Sequence, residues 1–292
     1  MIDLPAFWVN GERQPNNVAH VSALDRGLTL ADGVFETMRA HQATAFRLDR
    51  HLARLGHALA VLEIPAPPGL RDWVLEAVRS AGESDVSLRV TVTRGVGEGG
   101  VAPPPDGRPT TIIALNRLPI VPPAVYVAGL TAHVASGPRN EHALTSGLKT
   151  LAYTEAVAAL LEARRAGADE ALFLDTESHC SEASASNLFM WTGGTLVTPP
   201  ISCGALPGIT RATVVELARR LDLPTSERAF ALDELLEADE AFLTSSLRGL
   251  APLVRVNTRP IGSGRPGHTS RRLIDAYTTL VAEECGRGVF EP

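Results

Sequence analysis

The chain has 292 residues, 45% hydrophobic and 21% charged, an ordinary globular mix with enough length for a full core and, at roughly 100–200 residues per domain, for two domains or one large one. Its net charge of −6 and pI near 5.8 argue against nucleic acid or an anionic membrane surface as the main partner. Three cysteines, an odd number without redox or metal spacing, no basic-then-apolar N-terminus and no apolar run of membrane length lead us to expect a cytoplasmic protein that neither spans nor binds a membrane.

In chain order, residues 6–9 read as a strand and Asn10-Gly11 as a hairpin turn. Asp25-Arg26-Gly27 reads as a turn, and residues 33–39 (GVFETMR) as a strand that turns at His41-Gln42 into a second hairpin arm over 44–47. Asp49 is placed as the N-cap of a helix to about Leu62, with leucines 52, 55, 59 and 62 on one face. Prolines 65, 67 and 68 end it. A helix over about 70–80 and strands over 87–93 and 110–115 follow.

The run LPIVPP (118–123) marks a boundary. We therefore expect a small N-terminal α/β domain over 1–118, a linker over 119–130, and a larger strand-rich domain over 131–292 that carries Lys149. In the second half, strands are predicted around 125–135, then a polar loop over 137–146, a helix over 150–166 and a strand over 169–175. A hairpin over 186–198 turns at Gly193-Gly194. A helix over 209–221, strands over 240–244 and 252–256, and a closing helix over 268–284 complete the chain.

Among motifs, the segment Gly95-Val96-Gly97-Glu98-Gly99-Gly100 matches a dinucleotide pattern. The chain then runs into three prolines instead of a helix, so no helix N-terminus can meet a pyrophosphate and the segment is read as a loop. The eight histidines show no ligand spacing and no metal is expected; His51 and His57 are taken as surface or packing residues.

The chain has 27 basic residues, of which Lys149 is the sole lysine. Arginine cannot lose its proton at any useful pH, whereas lysine can, so a lysine retained here suits a nucleophilic amine. We place it just before a helix, whose partial positive potential would disfavour a second charge, with Tyr153 one helical turn on. Downstream come Glu182 among small polar residues, the helix-opening run Leu206-Pro207-Gly208-Ile209-Thr210-Arg211 as an anion cup, and the hydroxyls Thr244-Ser245-Ser246. An imine-forming amine, a carboxylate for a ring nitrogen, a phenol and a phosphate cup are the parts pyridoxal phosphate requires.

The segments DRGLTLADGVFETMR (25–39), HLARL (51–55), LKTLAY (148–153), SEASASNLF (181–189), LPGITR (206–211) and TSS (244–246) together resemble the class IV aminotransferases. These are the fold type IV pyridoxal-phosphate enzymes, which include branched-chain and D-amino-acid aminotransferases, (R)-amine transaminases and 4-amino-4-deoxychorismate lyases. The resemblance implies an α/β (α+β) fold with a strand-rich pseudo-barrel domain. It implies Lys149 as the Schiff-base lysine, Glu182 at the pyridine nitrogen, Tyr153 at the phenolic oxygen, and Arg54, Leu206, Ile209, Thr210, Ser245 and Ser246 around the phosphate. Ala152 stands where the family usually has Asn before the tyrosine.

For the substrate, the resemblance points to Arg89, Arg26 and Phe35; the loop after TRG lacks the Arg and His with which D-amino-acid enzymes hold a carboxylate. The expected reaction moves an amino group from an amino acid, or a related primary amine, to a 2-oxo acid. The alternative is 4-amino-4-deoxychorismate lyase, releasing pyruvate to give 4-aminobenzoate. The family builds its site at a homodimer interface, and a homodimer is expected here.

Overall fold

A computed structural model describes residues 3–286, which divide into two units. The first holds the chain up to Pro119 together with Leu148–Ala152 and the stretch from Val281. Its strands are β1 (Ala6–Val9), β2 (Glu12–Arg13), β3 (Gly33–His41), β4 (Thr44–Ala45), β5 (Val86–Thr93) and β6 (Thr110–Arg117), and its helices α1 (Arg26–Leu30), α2 (Leu48–Val61) and α3 (Leu70–Ser80). The six strands form one antiparallel sheet in the order β2-β1-β6-β5-β3-β4.

Local sequence explains most of this unit. Asn10 and Gly11 both take positive φ (51° and 85°), the tight turn whose twist matches the β1–β2 arms. Period-two alternation along β3 and β5 sends Val34, Met38, Leu88, Val90 and Val92 to one face, where Leu55 and Leu59 of α2 and Val74 and Val78 of α3 cover them. Phe35, Arg89 and Thr91 belong to the opposite phase. Each buried leucine removes enough apolar surface from water to contribute about 2 kcal/mol. Two details differ from expectation. The DRG segment opens a one-turn helix, with the Asp25 carboxylate accepting from the Gly27 N–H (2.8 Å). The N-cap of α2 is Arg47 in a left-handed conformation, and Asp49 lies in the first turn.

The second unit runs from Ile120, without Leu148–Ala152. Its elements are α4 (Ala124–Ala128), β7 (Leu130–Val134), α5 (Thr154–Arg165), β8 (Glu170–Leu174), β9 (Cys180–Ala183), β10 (Asn187–Thr192), β11 (Thr195–Thr198), α6 (Ile209–Arg220), β12 (Thr225–Glu227), α7 (Leu232–Leu236), β13 (Glu240–Ser245), β14 (Gly249–Val256), β15 (Arg259–Pro260) and α8 (His268–Cys285). The strand order is β12-β11-β10-β13-β14-β7-β8-β9, and β9 also pairs with β10, so six strands close on themselves as a barrel. Leu172, Leu188, Met190, Leu243, Ala251 and Leu253 lie in its apolar core. Phe189 and Phe242, directly opposite on β10 and β13, stack at 5.1 Å.

Three expectations change here. The stretch at 125 is helical because Pro122 and Pro123 sit at the start of α4, where a missing N–H costs nothing. The helix expected from Thr150 starts at Thr154, because Lys149 and Leu151 engage their main chain with β3. For the same reason Lys149 groups with the first unit instead of the larger one, and the boundary falls between Pro119 and Ile120 with a helix inside the expected linker. No helix among the described residues is long and apolar enough to cross a membrane.

Candidate active site

In the first unit, the segment around Lys149 behaves as an edge strand. The Phe35 N–H donates to the Lys149 carbonyl (3.0 Å), the Leu151 N–H donates to the Gly33 carbonyl (3.0 Å), and Val34 bridges Thr150. This fixes the lysine backbone against β3 and leaves the side chain half-buried, its Nζ 4.4 Å from the centre of the Phe35 ring. The Arg89 guanidinium lies on the same ring at 3.6 Å, and its Nε donates to Thr91 Oγ1 (3.3 Å). An apolar ring carrying two cations is a cation–π arrangement. It also brings an amine, an apolar ring and a guanidinium together in one place. The helix-terminus effect expected at Lys149 is absent, since α5 begins beyond it.

Arg54 projects from α2 to Glu36 on β3. Its Nε and Nη2 donate to the two Glu36 oxygens at 2.7 and 2.8 Å, and His51 Nδ1 lies 2.7 Å from Oε2. Burial pushes the Glu36 carboxyl up, but the hydrogen bonds from His51 and Arg54 outweigh it and hold the group below its ordinary value. His51 is thus a buried partner of an acid, and Glu36 a positioning group for the arginine; neither role was expected. The signal for Glu36 is an acid on the phase of β3 that is otherwise apolar, with Val34, Met38 and Ala40.

Arg26 differs from its expected role at a substrate carboxylate. Its Nε donates to Asp32 (2.8 Å), Nη1 to the carbonyls of Gly100 and Ala102 (3.0 and 3.2 Å), and Nη2 to that of Val101 (2.8 Å). Arg94 holds the same Asp32 at 2.7 Å. Burial raises the Asp32 carboxyl, yet the bonds from Arg94 and Arg26 win and keep it below its usual value. Arg26 therefore shapes the glycine-rich loop, which is a loop and not a helix start.

In the second unit, Glu182 lies on β9, at the pair that closes the barrel. Its Oε1 accepts from Arg139 Nη2 (2.9 Å) and its Oε2 from the Leu206 N–H (2.9 Å) and Asn187 Nδ2 (3.3 Å). Asn187 also donates to the Leu206 carbonyl (2.8 Å), which ties the LPG loop to the carboxylate. Arg139 stacks on Phe173 at 4.5 Å. Asn187 lies inside a quoted motif but carried no assigned role; Arg139 lies in a polar loop with no periodicity to single it out.

Gly208 precedes α6, and a Cβ there would sit 1.9 Å from Asn187 Oδ1. The helix opens with no side-chain cap and no acid in its first turn, so the amides at Ile209 and Thr210 face outward along a positive dipole end. Thr210 is buried, Ser245 and Ser246 are half-buried at the end of β13, and the buried Thr244 hydroxyl has no partner among the described residues. Tyr153 is the N-cap of α5 and half-buried.

The groups present fit what pyridoxal phosphate requires: the second unit holds a buried carboxylate and an uncapped helix start with hydroxyls beside it in the chain, and the first unit holds the lysine amine.

Residues 33–256 match the family described as amino-transferase class IV. The branched-chain-amino-acid aminotransferase of Pseudomonas aeruginosa is 32% identical over 94% of this chain and 92% of its own. A branched-chain amino acid aminotransferase from T.th., solved with pyridoxamine 5'-phosphate, superposes with a TM-score of 0.88 at 31% identity, covering 98% of this chain and 96% of that one. The 4-amino-4-deoxychorismate lyase of Pseudomonas aeruginosa superposes at 0.83 with 32% identity, covering 96% and 100%. With a family match over most of its length and the fold to accompany it, the chain belongs to the class IV aminotransferases and is a fold type IV, pyridoxal-phosphate-dependent transaminase.

Proposed function

We propose that this enzyme takes its amino group from aliphatic, branched-chain-type amino acids and passes it to a 2-oxo acid, with Lys149 as the working amine. The carrying observation is the Phe35 ring with Lys149 Nζ at 4.4 Å and Arg89 at 3.6 Å. An apolar floor suits an aliphatic side chain, and the adjacent guanidinium suits a carboxylate. Relatives such as the Pseudomonas aeruginosa enzyme carry the matching activity in their names.

When bound, the cofactor supplies an aldehyde for amine exchange and a protonated ring that accepts the electrons released at the donor's α-carbon. Lys149 would hold the cofactor through its amine, and that amine is the group placed to hold and move the proton at the donor's α-carbon. Glu182, kept in place by Arg139, Asn187 and the Leu206 amide, presents a carboxylate to the ring nitrogen. Tyr153 serves the phenolic oxygen. Arg54, steadied by Glu36, would serve a phosphate from the first unit, and Thr210, the Ile209 amide, Ser245 and Ser246 would do so from the second.

A homodimer fits the segment over residues 18–30, where Val18, Val21, Leu24, Leu28 and Leu30 are all exposed. A cytoplasmic location fits three buried, unbridged cysteines. The similarity to a lyase gives a second reading, separated in the same experiment. Purified holoenzyme is given L-leucine, L-isoleucine, L-valine or their D-forms with 2-oxoglutarate, and glutamate is measured; aminodeoxychorismate is given separately and pyruvate is measured. Glutamate from the L-aliphatic donors is expected. Pyruvate release with no amino transfer would sink the proposal.

A further inference from the structure

Away from the residues assigned above, the second unit gathers a second set of chemically capable groups. Asp175 and His179 bracket the tight turn between β8 and β9. The Asp175 Oδ1 builds that turn, accepting from the Glu177 N–H (3.0 Å) and the His179 N–H (2.8 Å). Its other oxygen, Oδ2, lies 3.3 Å from His179 Nδ1. Cys203 arrives from a 3-10 turn (Ile201–Cys203) that ends at Gly204. The three side chains place a carboxylate oxygen, an imidazole nitrogen and a sulfur all within 4.8 Å of one another.

We propose that Asp175, His179 and Cys203 bind one borderline-soft divalent cation of the zinc class, with water as the fourth ligand. Four ligands at about 2.0–2.3 Å around a tetrahedral ion lie roughly 3.3–3.8 Å apart. The present cluster, within 4.8 Å, would contract to that size around the ion. A sulfur–nitrogen–oxygen set selects zinc-like ions over the all-oxygen preference of magnesium and calcium. Asp175 and Cys203 are buried while the His179 side chain is one-third exposed, which gives the ion a route in and leaves a position for water.

Charge points the same way. The Asp175, Glu141 and Glu177 carboxylates all lie near Cys203, so the local potential is negative and attracts a cation. Glu141 is itself fixed by Thr176, whose N–H and hydroxyl donate to it at 3.0 and 2.5 Å, with His142 Nε2 at 3.5 Å. Sequence spacing carries no metal signature because the third ligand comes from a separate loop. That loop continues through Gly204 and Ala205 to Leu206, whose amide holds Glu182. An ion at Cys203 therefore pins the support of the ring-facing carboxylate.

Chelator-treated holoenzyme titrated with Co2+ tests this. One equivalent is expected to give intense visible bands of a tetrahedral ion together with a thiolate charge-transfer band. Cys203→Ser should abolish the charge-transfer band, His179→Gln should weaken Co2+ binding at least about 10-fold, and Cys285→Ser should leave both unchanged. Zn2+ at 100 times its Kd should raise the Tm by about 3–5 °C. Absence of saturable Co2+ binding to the wild type, a Co2+ spectrum with no thiolate band, or a band that survives Cys203→Ser would overturn the site; none of these results depends on amino transfer.

Discussion

Lys149 is the residue at which composition alone carries chemistry. A positive charge is all that most of the other 26 basic positions need, and arginine supplies it; an amine that must lose a proton cannot be arginine. Lys149→Arg is expected to fold with wild-type far-UV circular dichroism and to lose activity on the order of 10³-fold or more. Borohydride reduction and peptide mapping should find the pyridoxyl label on the Lys149 peptide of the wild type and none on the variant. Arg139→Gln removes a charge-assisted bond to Glu182 and should weaken cofactor binding about 10-fold, read by equilibrium dialysis.

Glu36 governs acid stability at the same scale. Its folded carboxyl is held below the ordinary 4.5, so its contribution is fully present above that pH and lost as pH falls through the lowered value. Thermal melts from pH 7 to pH 3 should show Tm falling in that window. Glu36→Gln should flatten this part of the profile while costing about 3 kcal/mol at pH 7, because it leaves Arg54 and His51 without their acid. A variant with an unchanged acid limb would refute the assignment.

At the element scale, the α6 N-terminus depends on a position with no side chain. Gly208→Ala puts a methyl into Asn187 and so disturbs the residue that ties Leu206 to Glu182. About 1–3 kcal/mol of destabilisation and a clear loss of cofactor affinity are expected, measured by melts of apo and holo protein. Helices with strong leucine faces, such as α2, and alternating strands such as β3 and β5 were legible because their period is written in consecutive residues. β9 was not. Its four residues (CSEA) are all buried, so they show no alternation, and polar Ser181 and Glu182 carry no strand period. The start of α5 was misplaced for a related reason: the residues before it have helical propensity, but pairing with β3 overrides propensity.

At the scale of the whole molecule, the exposed apolar residues between Val18 and Leu30 are the measurable feature. Leu28→Glu should shift the protein toward monomer in light scattering after gel filtration, with activity falling in parallel. A wild type that is monomeric at micromolar concentration would remove the dimer from the proposal.

The linear sequence determined which groups are on offer: a single lysine among arginines, a helix start with small and hydroxyl residues, and runs of strand and helix period in both halves of the chain. These follow from residue type and local period. Tertiary structure alone decided which groups touch. It gave Arg26 to the glycine-rich loop, matched Glu36 with Arg54 and His51, set Arg139 and Asn187 on Glu182, and brought Cys203 to Asp175 and His179. Such pairs join positions far apart in the chain, and their partners are selected by burial and hydrogen-bond satisfaction, which no local pattern records.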